Sequence, residues 1–336
     1  MRFLTFFFFS LCLFFAPRAS AQERYRLVFW NVENLFDTYD DSTRNDDDFT
    51  PQGQFRWTQK RYKDKLNHLA QTLLSLGEQT GNIMHPPLAI GLAEVENDKV
   101  LRDLCRGTIL RNCHYDFIHF DSPDRRGIDN ALLFRKELFH PFLTQNIFVS
   151  DSASHFFTRD ILLVEGTVGN NDTLILIVNH FPSKRNADNE HRRKEIAQRL
   201  RYVMDTLSAA HPNGALVVMG DFNSTPQEPV IQKTLVGNDG RYLNLMVDSD
   251  ALGSYKYQGR WSLLDQIIVS RNVADNATPC PFQISSDKGQ VFSPGFLLKD
   301  DERNMGQKIF RTFLGPKYIG GYSDHLPVYV DLQKRK

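Results

Sequence analysis

The sequence predicts an α/β fold in which mixed β-sheets pack face to face with helices on their outer sides. Apolar runs of strand length recur evenly from Arg26 to Leu332. Only a few amphipathic helical segments interrupt them, and many of the connections are short enough for hairpins. No Gly/Ser-rich or Pro-rich linker divides the chain, and no repeat of fixed period is visible, so one large domain is expected.

The elements follow in order. Arg26–Trp30 reads as a strand that ends in Asn31-Val32-Glu33-Asn34. An acidic loop runs from Asp40 to Asp48; its spacing does not match an EF-hand, which favours a solvated loop over a calcium site. Tyr62–Leu76 has helical periodicity, with Leu66, Leu69, Leu73 and Leu76 on one face and Gly77 as a stop. Leu88–Ala93 is a buried strand leading into Glu94, and Val100–Cys105 a short helix. Asn130–Arg135 is a further strand, and Ile161–Val168 with Leu174–Val178 form an antiparallel pair around Gly169-Asn170-Asn171-Asp172. Asn189–Leu207 is a charged helix with Ile196, Leu200, Val203 and Leu207 inward. Strands at 215–219, 263–269 and 326–332 complete the set.

The first residues stand apart. Met1-Arg2 is positive, Phe3–Phe15 is almost wholly apolar, and Ala19-Ser20-Ala21 fits a small-residue cleavage site. The apolar run is short for a membrane span, so residues 1–21 are expected to be a secretory signal peptide. That leaves 22–336 as the single domain of a soluble protein, secreted or periplasmic after cleavage near Ala21, with no later segment fit to span a membrane. Without Arg2 and Arg18 the chain is about two units negative, so net charge offers nucleic acid no general attraction. Cys105, Cys113 and Cys280 remain. Export permits disulfides and the first two could close a small loop, but no Cys/His spacing resembles a zinc site.

Polar residues recur at six apolar strand ends: Asn31 and Glu33, Glu94, His180, Asp221 and Asn223, Asp265, and Asp324-His325. Burying a carboxylate or imidazole costs several kcal/mol unless it is paired or metal-bound. One such residue is ordinarily a cap; six strand ends point to a site. Asp221 and Asn223 share one side of an extended chain, as a water-positioning pair or as an Asp-Phe-Asn turn. The oxygen-rich set with two histidines suits Mg²⁺, with Mn²⁺ or Ca²⁺ as alternatives, over a thiol-preferring metal.

Trp30-Asn31-Val32-Glu33, Ala93-Glu94-Val95, Asn179-His180, Gly220-Asp221-Phe222-Asn223, Leu264-Asp265 and Ser323-Asp324-His325-Leu326-Pro327-Val328 resemble, in order, the signature segments of the endonuclease/exonuclease/phosphatase superfamily. The resemblance spans residues 26–332 and, with the leader, suggests a secreted bacterial member. It implies a four-layer, DNase I-like α/β sandwich with its active site at one edge of the sheets. It makes Glu94 the principal metal ligand, with Glu33 a second and Asp324 either a ligand or a support. Asn31 would contact phosphate or metal-bound water. Asp221 would orient or deprotonate the attacking water, and Asn223 would donate to a phosphoryl oxygen. His325 with Asp265 resembles the family's His–Asp pair, and His180 its second active-site histidine.

Basic residues near these motifs have two readings. Arg126 could grip a flanking phosphate and Asp129 orient His180, or the whole turn is simply solvated. Lys184 and Arg185 could line a phosphate-binding rim. About fifty residues lie between the Leu-Asp and Ser-Asp-His segments, with Pro279, Pro281 and Pro294 among them, and such an insertion would shape substrate access.

The function these readings imply is a divalent-metal-dependent phosphodiester hydrolase, most simply an endonuclease with DNA or RNA as substrate, working as a monomer without a stable protein partner. The alternatives are a sphingomyelin or phospholipid phosphodiesterase, a sugar or inositol phosphate phosphatase, or a catalytically inactive phosphate-binding module. No Trp- and Phe-rich amphipathic hairpin supports the lipid reading, and no proposed catalytic position is lost.

Overall fold

The computed structural model of the chain describes residues 23–80, 83–151, 155–169, 171–184, 189–275 and 279–335. Residues 1–21, the expected leader, and Arg185 lie outside the described residues. Thirteen strands build the two large sheets. The first seven are β1 (Arg24–Leu35), β2 (Ala89–Val95), β3 (Tyr115–His119), β4 (Asp129–Arg135), β5 (Phe139–Ile147), β6 (Ile161–Val168) and β7 (Asp172–His180). They are followed by β8 (Ala215–Asp221), β9 (Tyr242–Asn244), β10 (Asp265–Ser270), β11 (Phe282–Ile284), β12 (Gln290–Val291) and β13 (Val328–Lys334). One sheet has the order β11-β13-β1-β2-β4-β3, with β12 also on β13; the other has the order β9-β10-β8-β7-β6-β5.

Each sheet contains one parallel pair, β1 with β2 and β7 with β8, among antiparallel neighbours. Parallel strands end at the same edge, so these pairs deliver Asn31, Glu94, His180 and Asp221 in one direction. Register does the fine placement. Asp221 stands opposite His180 on β7 and opposite Asp265 on β10, which puts three polar residues on one rung.

Alternation along the strands explains the layers. On β1, Leu27 and Phe29 enter a core between the sheets, joined by Val217, Met219, Ile267 and Val269. Val28 and Trp30 point the other way, onto helices α1 (Gln59–Ser75) and α2 (Asp98–Gly107), and join Leu66, Leu69 and Leu73. On the far side, Val218 and Ile268 meet Ile196, Leu200 and Met204 of α3 (Asn189–Ala210). Both strand faces are therefore buried, which is why the strands read as continuous apolar runs. Each fully buried Leu contributes about 1.5–3 kcal/mol.

Helix ends follow local capping. Thr58 accepts the Arg61 amide and starts α1 ahead of its apolar face, and Asn97 accepts the Val100 amide at 3.0 Å to start α2. In α3 the inward residue is Met204, fully buried, while Val203 is only half-buried. Strand β5 has no regular apolar alternation in sequence: it is an edge strand whose Phe142 and Leu143 are exposed and whose register shifts beside Pro141. Cys105, Cys113 and Cys280 are free thiols buried in the fold, so the small-loop disulfide is not formed. Among the described residues no helix is long and apolar enough to cross a membrane.

The segment after β10 packs back across the sheet edge. Phe313 and Tyr318 lie against Trp57, with ring centroids 5.6 and 6.3 Å away, and Phe313 also meets Phe55 at 4.8 Å.

Candidate active site

The strand ends converge on Asp221. Its Oδ2 accepts from Asn31 Nδ2 at 3.1 Å and faces His180 Nε2 at 3.6 Å and His325 Nε2 at 3.7 Å. Its Oδ1 accepts the Asn223 amide at 2.9 Å. All of this is buried, and burial pushes the Asp221 carboxyl up to about 6, with Asp265 adding to the rise and His325 opposing it.

Gly220 makes this rung possible. Across the parallel pair it faces Asn179, and a Cβ at Gly220 would overlap the Asn179 carbonyl oxygen and Nδ2. Asn179 Nδ2 in turn donates to the Met219 carbonyl at 3.0 Å, which ties the two strand ends together.

His325 is gripped from both sides. Its Nδ1 lies 2.7 Å from Asp265 Oδ2, its backbone amide donates to Ser323 Oγ, and its carbonyl accepts Trp30 Nε1 at 2.8 Å. Ser254 Oγ donates to the same Asp265 oxygen, and the Tyr255 ring lies over the imidazole at 4.8 Å. Burial alone would lower the His325 pKa, but Asp265 and Asp221 override it and hold the ring well above its ordinary value. His180 has no such partner. Burial, reinforced by Arg159, Arg126 and His325, drives it well below the ordinary histidine value, and its Nδ1 is buried without a hydrogen bond.

On the other sheet, Glu94 turns into the site through a left-handed backbone, φ 66°, where β2 and β4 slip register. Its Oε2 accepts the Asn34 amide at 2.8 Å and its Oε1 lies 3.5 Å from Arg126 Nη2. Burial would raise the carboxyl, but Arg126 and the Asn34 amide hold it below the ordinary range. Glu33, Asn34 and Asn223 also have positive φ, so four non-glycine residues around the site adopt sparsely populated backbone.

Glu33 is held by the segment after β10. Its Oε2 accepts the Thr312 amide at 2.6 Å, and its Oε1 lies 3.3 Å from Arg311, whose guanidinium also holds Asp324 at 2.9 Å. Lys65, wholly buried, donates to Thr312 Oγ1 and the Tyr322 carbonyl. Burial pushes Glu33 up and Lys65 down. Glu33 and Asp324 are thus tied to the insertion by Arg311, beside the Asp221 cluster and Glu94.

The basic residues divide. Arg126 is about half exposed at the lip and donates to Asn34 Oδ1 at 2.6 Å. Lys184 is committed to Glu228 at 2.6 Å. Asp129 does not orient His180: it lies 3.5 Å from His119 and accepts the Ser122 amide, because β4 pairs with β3, whose last residue is His119. Asn223 Nδ2 donates to the Phe181 carbonyl at 2.9 Å, which leaves one amide hydrogen for a ligand. Arg311, Lys65 and Ser254 carried no sequence signal: Arg311 and Lys65 lie far along the chain from the groups they hold, and Ser254 meets Asp265 only because the short segment between them folds back.

The donor set fits a hard divalent cation. Glu94 is held ionised, and Asp221, Asp265 and His325 offer ligand atoms all within 4.8 Å of one another, a buried Asp/His cluster consistent with a divalent-metal site. The same atoms share a proton through the 2.7 Å contact of His325 with Asp265, so proton and cation compete for that position.

Comparisons with known proteins agree with the architecture. A family model described as Endonuclease/Exonuclease/phosphatase family matches residues 26–334. No curated protein matches the sequence. Among solved structures, an endonuclease/exonuclease/phosphatase family protein from Bacteroides thetaiotaomicron is 15% identical, with TM-score 0.58, over 94% of this chain and 96% of that one. D. rerio TDP2 complexed with single strand DNA product is 16% identical, with TM-score 0.56, over 93% and 99%. A mannosyl-6-phosphatase of Bacteroides thetaiotaomicron VPI-5482 is 15% identical, with TM-score 0.56, over 92% and 99%. At these identities the likeness is one of fold.

Proposed function

Because the chain belongs to the endonuclease/exonuclease/phosphatase family, we propose that this phosphoesterase hydrolyses phosphodiesters of DNA or RNA as an exported, monomeric, Mg²⁺-dependent endonuclease. The observation that carries the reading is the Asp265–His325–Asp221 chain, with its 2.7 and 3.7 Å contacts. Asp265 holds one ring nitrogen of His325, which turns the other toward Asp221 and toward any phosphate beside it.

Each residue then has a defined task. Asp221, when ionised, accepts a proton from the attacking water. His325, kept cationic, donates from Nε2 to a phosphoryl oxygen as negative charge builds there. His180 stays neutral and offers an N–H without adding charge. Asn31 fixes the orientation of Asp221, and Asn223 presents its remaining amide hydrogen. A divalent cation held by Glu94 would neutralise charge on the phosphoryl oxygens. Arg126 sets the Glu94 carboxylate ready for that cation, and its exposed side supplies a contact for a flanking phosphate, as a polymeric substrate requires.

The test is a substrate panel with the mature protein: plasmid DNA, RNA, sphingomyelin, inositol phosphates, a sugar phosphate and a chromogenic diester, each with Mg²⁺ and with EDTA. Nicking of plasmid DNA or internal cleavage of RNA that stops with EDTA is expected. Turnover confined to a phosphomonoester would overturn the nuclease reading, and full activity in EDTA would overturn the metal.

A further inference from the structure

A second group of side chains able to ligate a metal lies on the two strands next to β2, apart from the Asp221 cluster. His119 ends β3, Asp129 begins β4, and Asp121 lies in the loop that joins them. One ligand atom from each lies within 4.8 Å of the others. The His119 side chain is 3% exposed, and its Nε2 is buried without a hydrogen bond. Asp129 Oδ2 stands 3.5 Å from that nitrogen. Asp121 is exposed and lines an open groove of about 580 Å³ shared with Asn97, Lys99 and Arg102. Lys99 is already committed to Asp103 at 2.6 Å.

The spacing is the informative part. Two ligands each about 2.1 Å from one tetrahedral ion stand about 3.4 Å apart. The His119–Asp129 separation has that length, and it is long for an N–H···O bond. Around the pair, the spare valences are already used. Asp129 Oδ1 accepts the Ser122 amide at 3.0 Å, which leaves Oδ2 for the gap. Asp98 Oδ1 lies 3.0 Å from His119 Nδ1. With an ion bound, a carboxylate there would keep the ring proton on Nδ1 and leave the Nε2 lone pair for the metal, as outer carboxylates do for metal-bound histidines.

We propose that His119, Asp129 and Asp121 bind one divalent transition ion, best matched by Zn²⁺, at a structural site separate from the hydrolytic centre. One imidazole with two carboxylates suits Zn²⁺ better than Mg²⁺, which prefers an all-oxygen shell and retains its waters. The ion would clip the β3–β4 loop and, through Asp98, the first turn of α2. Asp129 pairs with Val95, the residue after Glu94, so the clip braces the backbone next to the proposed catalytic carboxylate.

The experiment measures zinc bound per chain and the unfolding midpoint, with Mg²⁺ in excess throughout so that Zn²⁺ at the hydrolytic centre is suppressed equally in every variant. The mature protein is compared with His119→Ala and Asp121→Ala after dialysis against micromolar Zn²⁺. Asp121 is exposed, so its replacement keeps the test valid if the buried His119 variant fails to fold. About one additional zinc per chain is expected in the wild type over either variant, with a rise of a few degrees in the midpoint that Asp121→Ala lacks. Equal zinc content and an equal thermal response in wild type and Asp121→Ala would overturn the site. His119 would then be only a charged clamp between Asp98 and Asp129. Activity enters neither readout, so the result stands whatever the substrate proves to be.

Discussion

His180 and His325 approach the same oxygen of Asp221, at 3.6 and 3.7 Å, yet their surroundings drive their protonation in opposite directions. His325 has Asp265 behind it and keeps its proton; His180 has an orphaned Nδ1 behind it and loses its own. In a ring-proton NMR titration of the metal-free protein, His325 should titrate above and His180 below the ordinary value near 6.5. Asp265→Asn should move His325 downward and, by removing that positive charge, let His180 rise in turn. Two ordinary titrations would refute this division of charge.

The Asp221 carboxyl, raised to about 6, sets a second expectation. It accepts a proton only when ionised, so turnover should fall as pH drops through about 6. Asp221→Asn should remove that limb and cost about 10²–10⁴-fold in kcat. The stability effect has the opposite sign. A carboxyl raised in the fold favours the protonated protein, so its stabilisation is full below the unfolded value near 4 and is lost as pH rises through about 6. Asp221→Asn mimics the neutral form. In chelator it should unfold at a higher temperature than wild type at pH 8, with the gap closing toward pH 4. A variant that unfolds earlier at every pH would show that the aspartate serves the fold.

Glu94 is held ionised chiefly by Arg126, against the effect of its own burial. Glu94→Gln should reduce activity at least a hundredfold and weaken Mg²⁺ dependence. Arg126→Ala should act more mildly, raising the Mg²⁺ concentration for half-maximal rate and the KM for polymeric substrate. If Arg126→Ala changes neither, the guanidinium has no part in the site.

Gly220→Ala tests packing rather than chemistry. The added Cβ meets the Asn179 backbone and amide, which cannot move without parting β7 from β8. A loss of about 1–3 kcal/mol in denaturant melts is expected, with activity falling in step as the Asp221 rung shifts. Unchanged stability would mean that the strand ends can separate freely.

Much of this was legible from sequence, for physical reasons. Continuous apolar runs, buried on both faces, reveal strands, and a polar residue at the end of such a run has few places to go but a sheet edge, so Glu94, His180, Asp221 and Asp265 could be found. Partnerships between distant segments could not. Asp129 looked equally able to serve His180, and only the β3–β4 register assigns it to His119. The partners of Glu33 were equally hidden: its carboxylate accepts from Arg311 and Thr312, nearly three hundred residues away in sequence. Strand β5 escaped notice because its exposed Phe142 and Leu143 break the alternation, and Thr58 started α1 before any apolar residue announced it.

The Glu33–Arg311–Asp324 and Lys65–Thr312 contacts bear on how this scaffold can be re-engineered. A designer swapping residues 271–321 for the equivalent stretch of a relative would be transplanting one half of a lock. The incoming segment would have to bring its own mate for Glu33 and a polar cap for Lys65. Otherwise the graft would leave an acid and an amine stranded in the interior. Loop and framework are therefore inherited together, and a successful chimera would exchange Glu33 and Lys65 along with the loop.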